Sequence, residues 1–371
     1  MKTVLYINPN GFIGGAESFI FNICESHLNN KKVIPIILFF KDGPGVKKAQ
    51  EIGIKHFLLK TSFKLSSLTY IKACFEIRGV LKKVKPDVVH FTMPYSVVAC
   101  FLPSLFLNIK TVWFQHGPVG GLLDKIASFL YVDYIFFNSK DTFLRHFNHC
   151  RDIFHTNNKI INLGIKTQTQ INTLEVEKYF PSNQFTILSA GRICRWKGQH
   201  ILIKAISELK KHNQIDTMNI KSLIAGVPNS HDDHLYFNEL KELVRSLQLE
   251  NHVEFIGHQK NIHQFYYRSD ILVHTSTTPE PFGLVVAEAM SAGLLVIGAD
   301  QGGLQDILIN NETGYSFNTT ASDAHLRLVN LIIENTTKDN SKIRRNAKNL
   351  IQNDYSITQM TDAIELIYEK I

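Results

Sequence analysis

Short apolar runs alternate with longer segments of mixed polarity along most of the chain, and this alternation occurs twice. In the first half, the runs that we predict to be strands are TVLYIN, VIPIILFF, KHFLLK, VVHFT, TVWFQH, YIFFN and KIINLG. In the second half they are FTILSAG, IKSLIAGV, HVEFIGH, DILVHTS, LLVIGAD and GYSF. Segments between several of these runs, such as AESFIFNICESHL, have the length of a helix. Strands that alternate with helices predict parallel sheets covered on both faces.

The two series of runs are separated by a polar segment, residues 166–184, which lacks the periodicity of a core element and is predicted to be a linker. Because 371 residues exceed one ordinary hydrophobic core, we expect two domains. The predicted fold class is α/β: two doubly wound, Rossmann-like domains, residues 1–165 and 185–354, which face each other across a cleft. A last helix, residues 355–371, is expected to pack back on the first domain. Ligands of such sheets bind beyond the carboxyl ends of the strands.

The composition is that of a soluble globular protein, with 44% hydrophobic and 20% charged residues. Its five cysteines are scattered and form no CxxC pair, which argues against a disulfide framework or a zinc site and for a reducing compartment. The chain begins MKTVLYINPNG, so no signal peptide is predicted. The longest apolar run, residues 96–109, is interrupted by Pro103 and is shorter than the ~20 residues of a spanning helix. We therefore expect a cytoplasmic protein.

Basic residues are concentrated in the first half of the chain. Residues 1–163 contain 20 Lys and Arg against 10 Asp and Glu, a balance of +10, which leaves −3 of the whole-chain +7 for the remainder. The lysines are densest at Lys47, Lys48, Lys55, Lys60, Lys64, Lys72, Lys82, Lys83 and Lys85. They are either a solvated surface or a surface that attracts anionic lipid head groups or a phosphorylated acceptor. No nucleic-acid-binding motif accompanies them, so no nucleic-acid partner is expected.

Two loops at strand ends have the residue types of an anion-binding site. Gly11, Gly14 and Gly15 lie between the first strand and a helix, where backbone can approach a ligand and a helix N-terminus favours an anion. A tight turn would need the same glycines. Arg192 and Lys197 lie between a strand and a helix that begins near Gly198. They suit a diphosphate, because arginine binds phosphate bidentately and lysine is a compact charge; the alternative is two surface cations.

His116 directly follows the run TVWFQ and is either a structural hydrogen-bonding residue or a residue that contacts the reacting group. The remaining histidines show no metal-ligand spacing, and HDDH, residues 231–234, is predicted to lie in a solvated polar loop. We therefore expect no bound metal.

Two glutamates, Glu280 and Glu288, lie eight positions apart in PEPFGLVVAEAM, where a loop rich in proline and glycine precedes an apolar helix. If both were helical they would be ~12 Å apart along the axis. Paired carboxyls of glycosidases lie ~5–5.5 Å or ~6.5–9.5 Å apart, so this spacing does not suit paired acid–base chemistry. It suits two separate hydroxyl contacts along an elongated ligand, a sugar at one end and a ribose at the other, with a phosphate at the helix N-terminus between them.

PEPFGLVVAEAM resembles the E-x7-E motif of the retaining glycosyltransferases of family 4, which have the GT-B fold. GGAES, AGR…KG, VEFIGH and VIGADQGG…ETG resemble further motifs of that family, in the same order along the chain. Pro281 and Leu295 depart from its usual glycine and proline, and INLGIKT replaces its usual turn at the domain exit.

The resemblance implies a role for each matching residue. Arg192 and Lys197 would hold the donor diphosphate, Glu280 would contact the sugar hydroxyls, and Glu288 would bind the ribose. Backbone amides at Phe282, Gly283 and Leu284 would contact the phosphates, and Gly15 would approach them. His116 would lie close to the sugar, and the base would lie near His258.

The predicted function is therefore metal-independent transfer of a sugar, with retention of configuration, from a UDP- or GDP-linked donor to a hydroxyl. No cofactor other than this donor substrate is expected. In the mechanism implied by the resemblance, the departing phosphate helps to deprotonate the acceptor on the same face. Two alternatives stay open: an epimerase or hydrolase of nucleotide sugars with the same fold, and a non-catalytic nucleotide-sugar binding module.

The acceptor is predicted to be a glycan or a polyprenyl-linked glycan, as in bacterial surface polysaccharide or lipopolysaccharide assembly. Phe101, Leu102, Leu105 and Phe106 follow the strand that ends near Thr92. Together with the lysines of the first half they would form a two-signal membrane anchor, which predicts peripheral contact with the inner face of the membrane. The alternative is that these apolar residues are core and the lysines keep the protein soluble.

Overall fold

The computed structural model describes residues 1–150, 157–166, 174–181 and 183–371, with the side chains of residues 174–176 left aside. The chain forms two compact units. The first consists of residues 1–164 together with 355–371, and the second of residues 165–354. Of the segment predicted to be a linker, residues 167–173 and 182 lie outside the described residues, and a 3-10 helix covers Leu174–Tyr179.

The first unit is built on a parallel sheet with seven strands in its described part. They are β1 (Lys2–Asn8), β2 (Val33–Phe39), β3 (Lys55–Leu58), β4 (Val88–Phe91), β5 (Lys110–Gln115), β6 (Tyr134–Phe137) and β7 (Asn158–Ile160). The order β3-β2-β1-β4-β5-β6-β7 reverses between β1 and β4. The helices are α1 (Gly15–Asn30), α2 (Pro44–Ile52), α3 (Thr69–Val84), α4 (Pro94–Ser104), α5 (Leu122–Ser128) and α6 (Lys140–His149).

The second unit repeats this plan with six parallel strands among the described residues. They are β8 (Phe185–Ala190), β9 (Ile220–Ala225), β10 (Val253–Gly257), β11 (Ile271–His274), β12 (Leu295–Ala299) and β13 (Tyr315–Phe317). The order β10-β9-β8-β11-β12-β13 reverses between β8 and β11. The helices are α7 (Gln199–Lys211), α8 (Gln214–Thr217), α9 (His231–Ser246), α10 (His263–Arg268), α11 (Leu284–Ser291), α12 (Ala324–Thr337) and α13 (Ser341–Asp354). Every run predicted to be a strand overlaps one of the strands, so the α/β prediction is confirmed.

Local sequence explains where many helices begin. Pro44 and Pro94 occupy the first turn of their helices, where the missing N–H costs no hydrogen bond. Ser139 and Ser230 accept a hydrogen bond from the backbone N–H three residues further on, which satisfies one donor of the first turn. Residues 231–234, which were predicted to be a loop, therefore form the first turn of α9. Each unit encloses its own apolar core, in which whole strands such as β4 and β12 are buried. Truncating one of these side chains to alanine costs ~2–5 kcal/mol.

The C-terminal helix α14 (Ile357–Lys370) packs on α1 within the first unit. Its buried face is partly polar: the Tyr368 hydroxyl lies 3.1 Å from that of Tyr6 and 2.5 Å from His90 Nδ1. Glu365 Oε1 lies 2.9 Å from His27 Nδ1. Burial raises the pKa of Tyr368 well above its ordinary value, so the hydroxyl stays protonated and can donate. These contacts fix both the position and the register of α14.

Candidate functional site

The loops that follow β8 and β11 are joined to each other at the point where the strand order of the second unit reverses. Thr277 N donates to Trp196 O at 2.7 Å, and Thr275 Oγ1 donates to Lys197 O at 3.0 Å. Gly198 has a φ of +66°, and a Cβ at this position would lie 2.2 Å from Thr275 O. Ligands of doubly wound sheets bind at such reversal points, beyond the carboxyl ends of the strands.

Glu280 is the centre of a polar cluster in these loops. Its Oε1 accepts hydrogen bonds from Lys197 Nζ at 2.5 Å, from His274 Nε2 at 2.5 Å and from Ser276 Oγ. Its Oε2 has no hydrogen-bond partner among the described residues. Glu280 is 8% exposed, and burial favours its neutral form, but His274 and Lys197 outweigh burial and hold its pKa well below the ordinary value. The site therefore contains a fixed, ionised carboxylate with one oxygen left for a ligand.

Two cations flank the ring of Trp196. Lys197 Nζ lies 4.6 Å from the ring centroid. Arg192, which lies on the loop after β8, has its Cζ 5.7 Å from the same centroid. Lys197 is paired with Glu280, whereas Arg192 is exposed and forms no ion pair with any described residue. The second unit thus brings Arg192, Lys197 and Glu280 into neighbouring loops, as their candidate roles require.

Glycines shape the loop that carries Glu280. Gly303 N donates to Glu280 O at 2.7 Å. A Cβ on Gly303 would lie 2.1 Å from Pro281 O, and a Cβ on Gly302, which has a φ of +70°, would lie 2.5 Å from Glu280 O. The Gly-Gly pair after β12 therefore allows two backbones to pack against each other.

The loop leads directly into α11, as the sequence predicts. Phe282 is buried, Gly283 has a φ of +100° at the helix N-cap, and Leu284 is the first helical residue. The first N–H groups of a helix have no acceptors within it and are suited to an anion. Because Glu280 precedes the helix, the ~12 Å helical spacing to Glu288 does not describe the site.

Glu288 lies in α11, apart from the Glu280 cluster. Its Oε2 accepts a hydrogen bond from the Tyr266 hydroxyl at 3.0 Å. Burial raises its pKa to about 7, against the opposing effect of this hydrogen bond. His258 is exposed directly after β10 and makes no hydrogen bond or ion pair with Lys197, Glu280 or Glu288.

In the first unit, His116 directly follows β5 and is packed between aromatic rings. The ring centroids of Phe114 and Phe19 lie 4.2 Å and 4.5 Å from that of His116. Burial lowers the pKa of His116 to about 3, so its imidazole is neutral near pH 7. The Nε2 atom of His116 is buried and has no hydrogen-bond partner among the described residues. At this atom, therefore, the described residues do not provide the hydrogen bond that a structural role would require.

Gly15 is the first residue of α1, so the predicted order of strand, glycine loop and helix is confirmed. The N-terminus of α1 already has a carboxylate, because Glu17 Oε2 accepts a hydrogen bond from Gly14 N at 3.0 Å. Glu17 Oε1 accepts another from Asn10 Nδ2 at 3.0 Å. An anionic ligand at this loop would therefore meet a carboxylate as well as backbone N–H groups.

Sequence reasoning missed three residues of the site, His274, Ser276 and Tyr266. His274 is the last residue of β11 and Ser276 lies two residues beyond it. Both lie at the end of the predicted strand DILVHTS, and polar residues at a strand end were the signal for them. Tyr266 reaches Glu288 from α10, a contact between two helices that no local pattern indicates. The described residues contain no group of three or more His, Cys, Asp or Glu side chains that could hold a metal ion.

Comparison with known proteins gives a family match and several relatives. Residues 171–350 match the family described as Glycosyl transferases group 1. The chain is 23% identical to the phosphatidylinositol N-acetylglucosaminyltransferase GPI3 subunit of Saccharomyces cerevisiae, over 95% of this chain and 78% of that protein. It is 27% identical to the lipopolysaccharide 1,2-N-acetylglucosaminetransferase of Salmonella typhimurium, over 48% of this chain and 46% of that one. The solved structure of Anabaena HepE in complex with UDP-glucose matches over the full length of both chains, with a TM-score of 0.84 and 21% identity.

The structural likeness shows that the chain has the GT-B fold, and its two Rossmann-like units agree with this. The family match covers the whole Glu280 cluster, and together with the relatives it supports a group 1 glycosyltransferase.

Proposed function

We propose that this protein is a retaining glycosyltransferase that moves a sugar from a nucleoside-diphosphate sugar to a hydroxyl of a glycan or lipid-linked glycan. The observation that carries the proposal is the cluster of Lys197, Glu280 and His274 at the strand-order reversal, with the exposed cation of Arg192 beside it. The family match over these residues supports it.

The two cations and the helix N-terminus would hold the donor diphosphate. Arg192 has no ionic partner among the described residues and is free to bind phosphate in a bidentate manner. Lys197 would turn from Glu280 towards the phosphates, while His274 and Ser276 keep Glu280 in place. The N–H groups around Phe282, Gly283 and Leu284 would meet the phosphates, and Gly15 is a further proposed phosphate contact.

The donor sugar and the nucleoside would bind at the two ends of the diphosphate. Glu280 Oε2 would accept hydrogen bonds from sugar hydroxyls, and His116, a neutral imidazole, would lie close to the sugar. Glu288 would accept a ribose hydroxyl, and His258 would lie near the base. The HepE complexes with UDP and UDP-glucose support a uridine donor.

In the proposed reaction the bond between the anomeric carbon and the diphosphate oxygen breaks. The bond from that carbon to the acceptor oxygen forms on the same face, and the acceptor proton passes to the departing phosphate. Arg192 and Lys197 would stabilise the charge that develops on the leaving group, in place of a metal ion.

A donor-only incubation separates transfer from the alternatives. With UDP-glucose or UDP-N-acetylglucosamine alone, a transferase releases little UDP, and release rises when acceptor is added. Rapid UDP or sugar release without acceptor would instead indicate a hydrolase, and interconversion of donor sugars an epimerase. Binding without turnover under all conditions would indicate a binding module. The anomeric coupling constant of the product, measured by NMR, tests retention.

A lipid-linked acceptor is proposed for two reasons. Two relatives are named for lipid-borne acceptors, phosphatidylinositol and lipopolysaccharide. The first unit also exposes an apolar surface, the α3 surface, which consists of Leu68, Ile71, Phe75, Leu102 and Phe106. Phe75 is 74% and Phe106 97% exposed.

The α3 surface revises the predicted anchor. Leu102 and Phe106 are exposed as expected, but Phe101 and Leu105 are half-buried. Arg78 Nη1 fixes this region by donating to Pro103 O at 2.9 Å and to Leu105 O at 2.8 Å.

Exposed lysines accompany the α3 surface. Lys72 lies between Ile71 and Phe75 on α3, and Lys82 and Lys83 lie further along the same helix. Cations beside exposed apolar groups form the two signals of an interfacial anchor. No described helix is both long and apolar enough to cross a membrane. We therefore propose peripheral contact with an anionic membrane, where a bacterial surface polysaccharide would be assembled.

A further inference from the structure

The first unit contains a cavity of about 390 Å³ that the donor site does not use. Its walls come from the segments that follow β1, β2, β3 and β4, so it lies beyond the carboxyl ends of these strands, on both sides of the strand-order reversal. Small-molecule sites commonly have volumes of ~300–1,000 Å³ and occur at such reversals.

Aromatic rings form one wall of this cavity. The Phe63 ring lies 6.2 Å from the Tyr95 ring, with only 24° between their planes, and 5.5 Å from the Phe40 ring. Burial raises the pKa of Tyr95, so its hydroxyl remains a hydrogen-bond donor. A pyranose has an apolar face of C–H groups and a rim of hydroxyls. Its apolar face gains dispersion contacts on rings such as these, and its hydroxyls need polar partners, which Tyr95 and Asn10 can supply.

Two cations complete the cavity. Lys41 and Lys64 line it, and both are exposed. Neither forms an ion pair with a described residue, whereas Lys110, elsewhere in this unit, lies 3.0 Å from Asp133. An anion that entered the cavity would therefore meet two lysines that are not already paired with a described carboxylate.

We infer that this cavity binds the acceptor, as a sugar ring that carries or directly adjoins an anionic group. The ring stacks on Phe63 and Tyr95, and the anionic group, a phosphate or diphosphate, binds Lys41 and Lys64. This inference rests on the proposed function, because only group transfer requires a second substrate. The sugar phosphate has two sources, a soluble sugar phosphate and a lipid-linked sugar diphosphate.

Binding is tested first, without turnover. Glucose 1-phosphate and the neutral methyl α-glucoside are titrated into the full chain, followed by ligand-observed NMR. We expect the phosphate to bind and the glucoside to bind at least tenfold more weakly. Equal binding of glucose 1-phosphate and the glucoside would overturn the inference. It would also be overturned if neither compound bound in the titration and no anionic acceptor were used in turnover.

Variants then locate the site. Tyr95→Ala and the pair Lys41→Ala with Lys64→Ala should each raise the KM for the anionic acceptor at least tenfold and leave UDP binding and the donor KM unchanged. Tyr95→Phe should restore most of the loss, since it keeps the ring. Lys55→Ala, an exposed lysine outside the cavity, is the matched control. Wild-type acceptor KM values in both cavity variants, or a loss as large in Lys55→Ala, would contradict the assignment.

Turnover measurements distinguish the soluble from the lipid-linked sugar phosphate, and they also separate a failure of the proposed function from a failure of this inference. A polyprenyl diphosphate sugar in detergent identifies the lipid-linked source if it is used at least tenfold better than glucose 1-phosphate, and the reverse order identifies the soluble source. If no donor is transferred to any acceptor by the wild type, the proposed function fails, while the binding titration still decides what the cavity holds.

Discussion

Single residues determine the chemistry of the proposed donor site, and His274 is one that the motif alone does not reveal. Its Nε2 donates to the carboxylate oxygen of Glu280 that also accepts from Lys197. If Lys197 turns to a phosphate, His274 becomes the main group that orients Glu280. In the proposed function His274 is therefore a positioning residue.

We expect His274→Ala to lower the kcat/KM for the donor sugar about tenfold, which corresponds to ~1.4 kcal/mol of transition-state stabilisation. His274→Gln keeps an N–H donor and should recover part of this loss. Steady-state kinetics and calorimetric UDP binding measure the two effects separately. An equal loss of UDP binding in His274→Ala would show a general structural role instead.

Substitution of Arg192 and of Lys197 by alanine should have different effects on the stability of the fold but similar effects on catalysis. Either change to alanine is expected to reduce turnover a hundredfold or more, ~2.7 kcal/mol, because the leaving diphosphate loses a cation. Arg192 is exposed, so its loss should leave the free energy of unfolding unchanged. Lys197→Ala removes the cation from a buried carboxylate and should cost ~1.5–3 kcal/mol. Urea denaturation gives the second quantity. Wild-type turnover in both variants would remove them from the site.

If Glu288 binds the ribose as proposed, nucleotide binding should depend on pH. Burial raises its pKa from the ordinary 4.5 to about 7, so it is mostly protonated below pH 7 and ionised above it. A carboxylate accepts ribose hydroxyls better than the neutral acid. UDP affinity, measured by calorimetry from pH 5.5 to 8.5, should therefore rise through about pH 7.

The same titration in Glu288→Gln serves as the control, because the diphosphate itself titrates in this range. The variant should lose the additional rise. Identical pH profiles for both proteins would show that Glu288 does not bind the ribose.

At the scale of loops and helices, the Gly-Gly pair after β12 fixes the loop that carries Glu280. Gly303→Ala would place a Cβ 2.1 Å from Pro281 O, and we expect a loss of ~1–3 kcal/mol in stability together with a loss of donor turnover. Gly79→Ala is the control: a Cβ there meets nothing within 4 Å in the middle of α3. It should be neutral or stabilising by up to ~1 kcal/mol. Thermal denaturation that ranked the two variants in the opposite order would refute this account.

Sequence periodicity was sufficient for the strands and for the start of α11, because both depend on local apolar pattern and on glycine or proline. It was insufficient for the contacts of the site. His274 and Lys197 meet at Glu280 because β8 and β11 are neighbours, although the sequence separates them by more than one helix. The spacing of Glu280 and Glu288 was likewise no guide to their separation, since only Glu288 is helical.

At the scale of the whole molecule, the α3 surface predicts binding to membranes. The protein should co-sediment with anionic phosphatidylglycerol vesicles at low salt and less at high salt, because salt screens the lysines. Ile71→Glu with Phe75→Glu should abolish co-sedimentation. Leu144→Glu, at an apolar position on α6 that is 59% exposed against 56% for Ile71, is the control and should retain it. Wild-type sedimentation that is absent at low salt would favour a soluble acceptor.

The packing of α14 on the first unit has a consequence for co-translational folding. Residues 165–354 form a contiguous unit that is complete before α14 is made, but the first unit needs residues 355–371. At ~5–20 residues per second, translation from residue 164 to residue 355 takes about 10–40 s. During that time Tyr6, His27 and His90 lack Tyr368 and Glu365 as partners, and the face of α1 that receives α14 stays open. The first unit to be synthesised is therefore the last to be finished, and it is the one that nascent-chain chaperones would have to shelter.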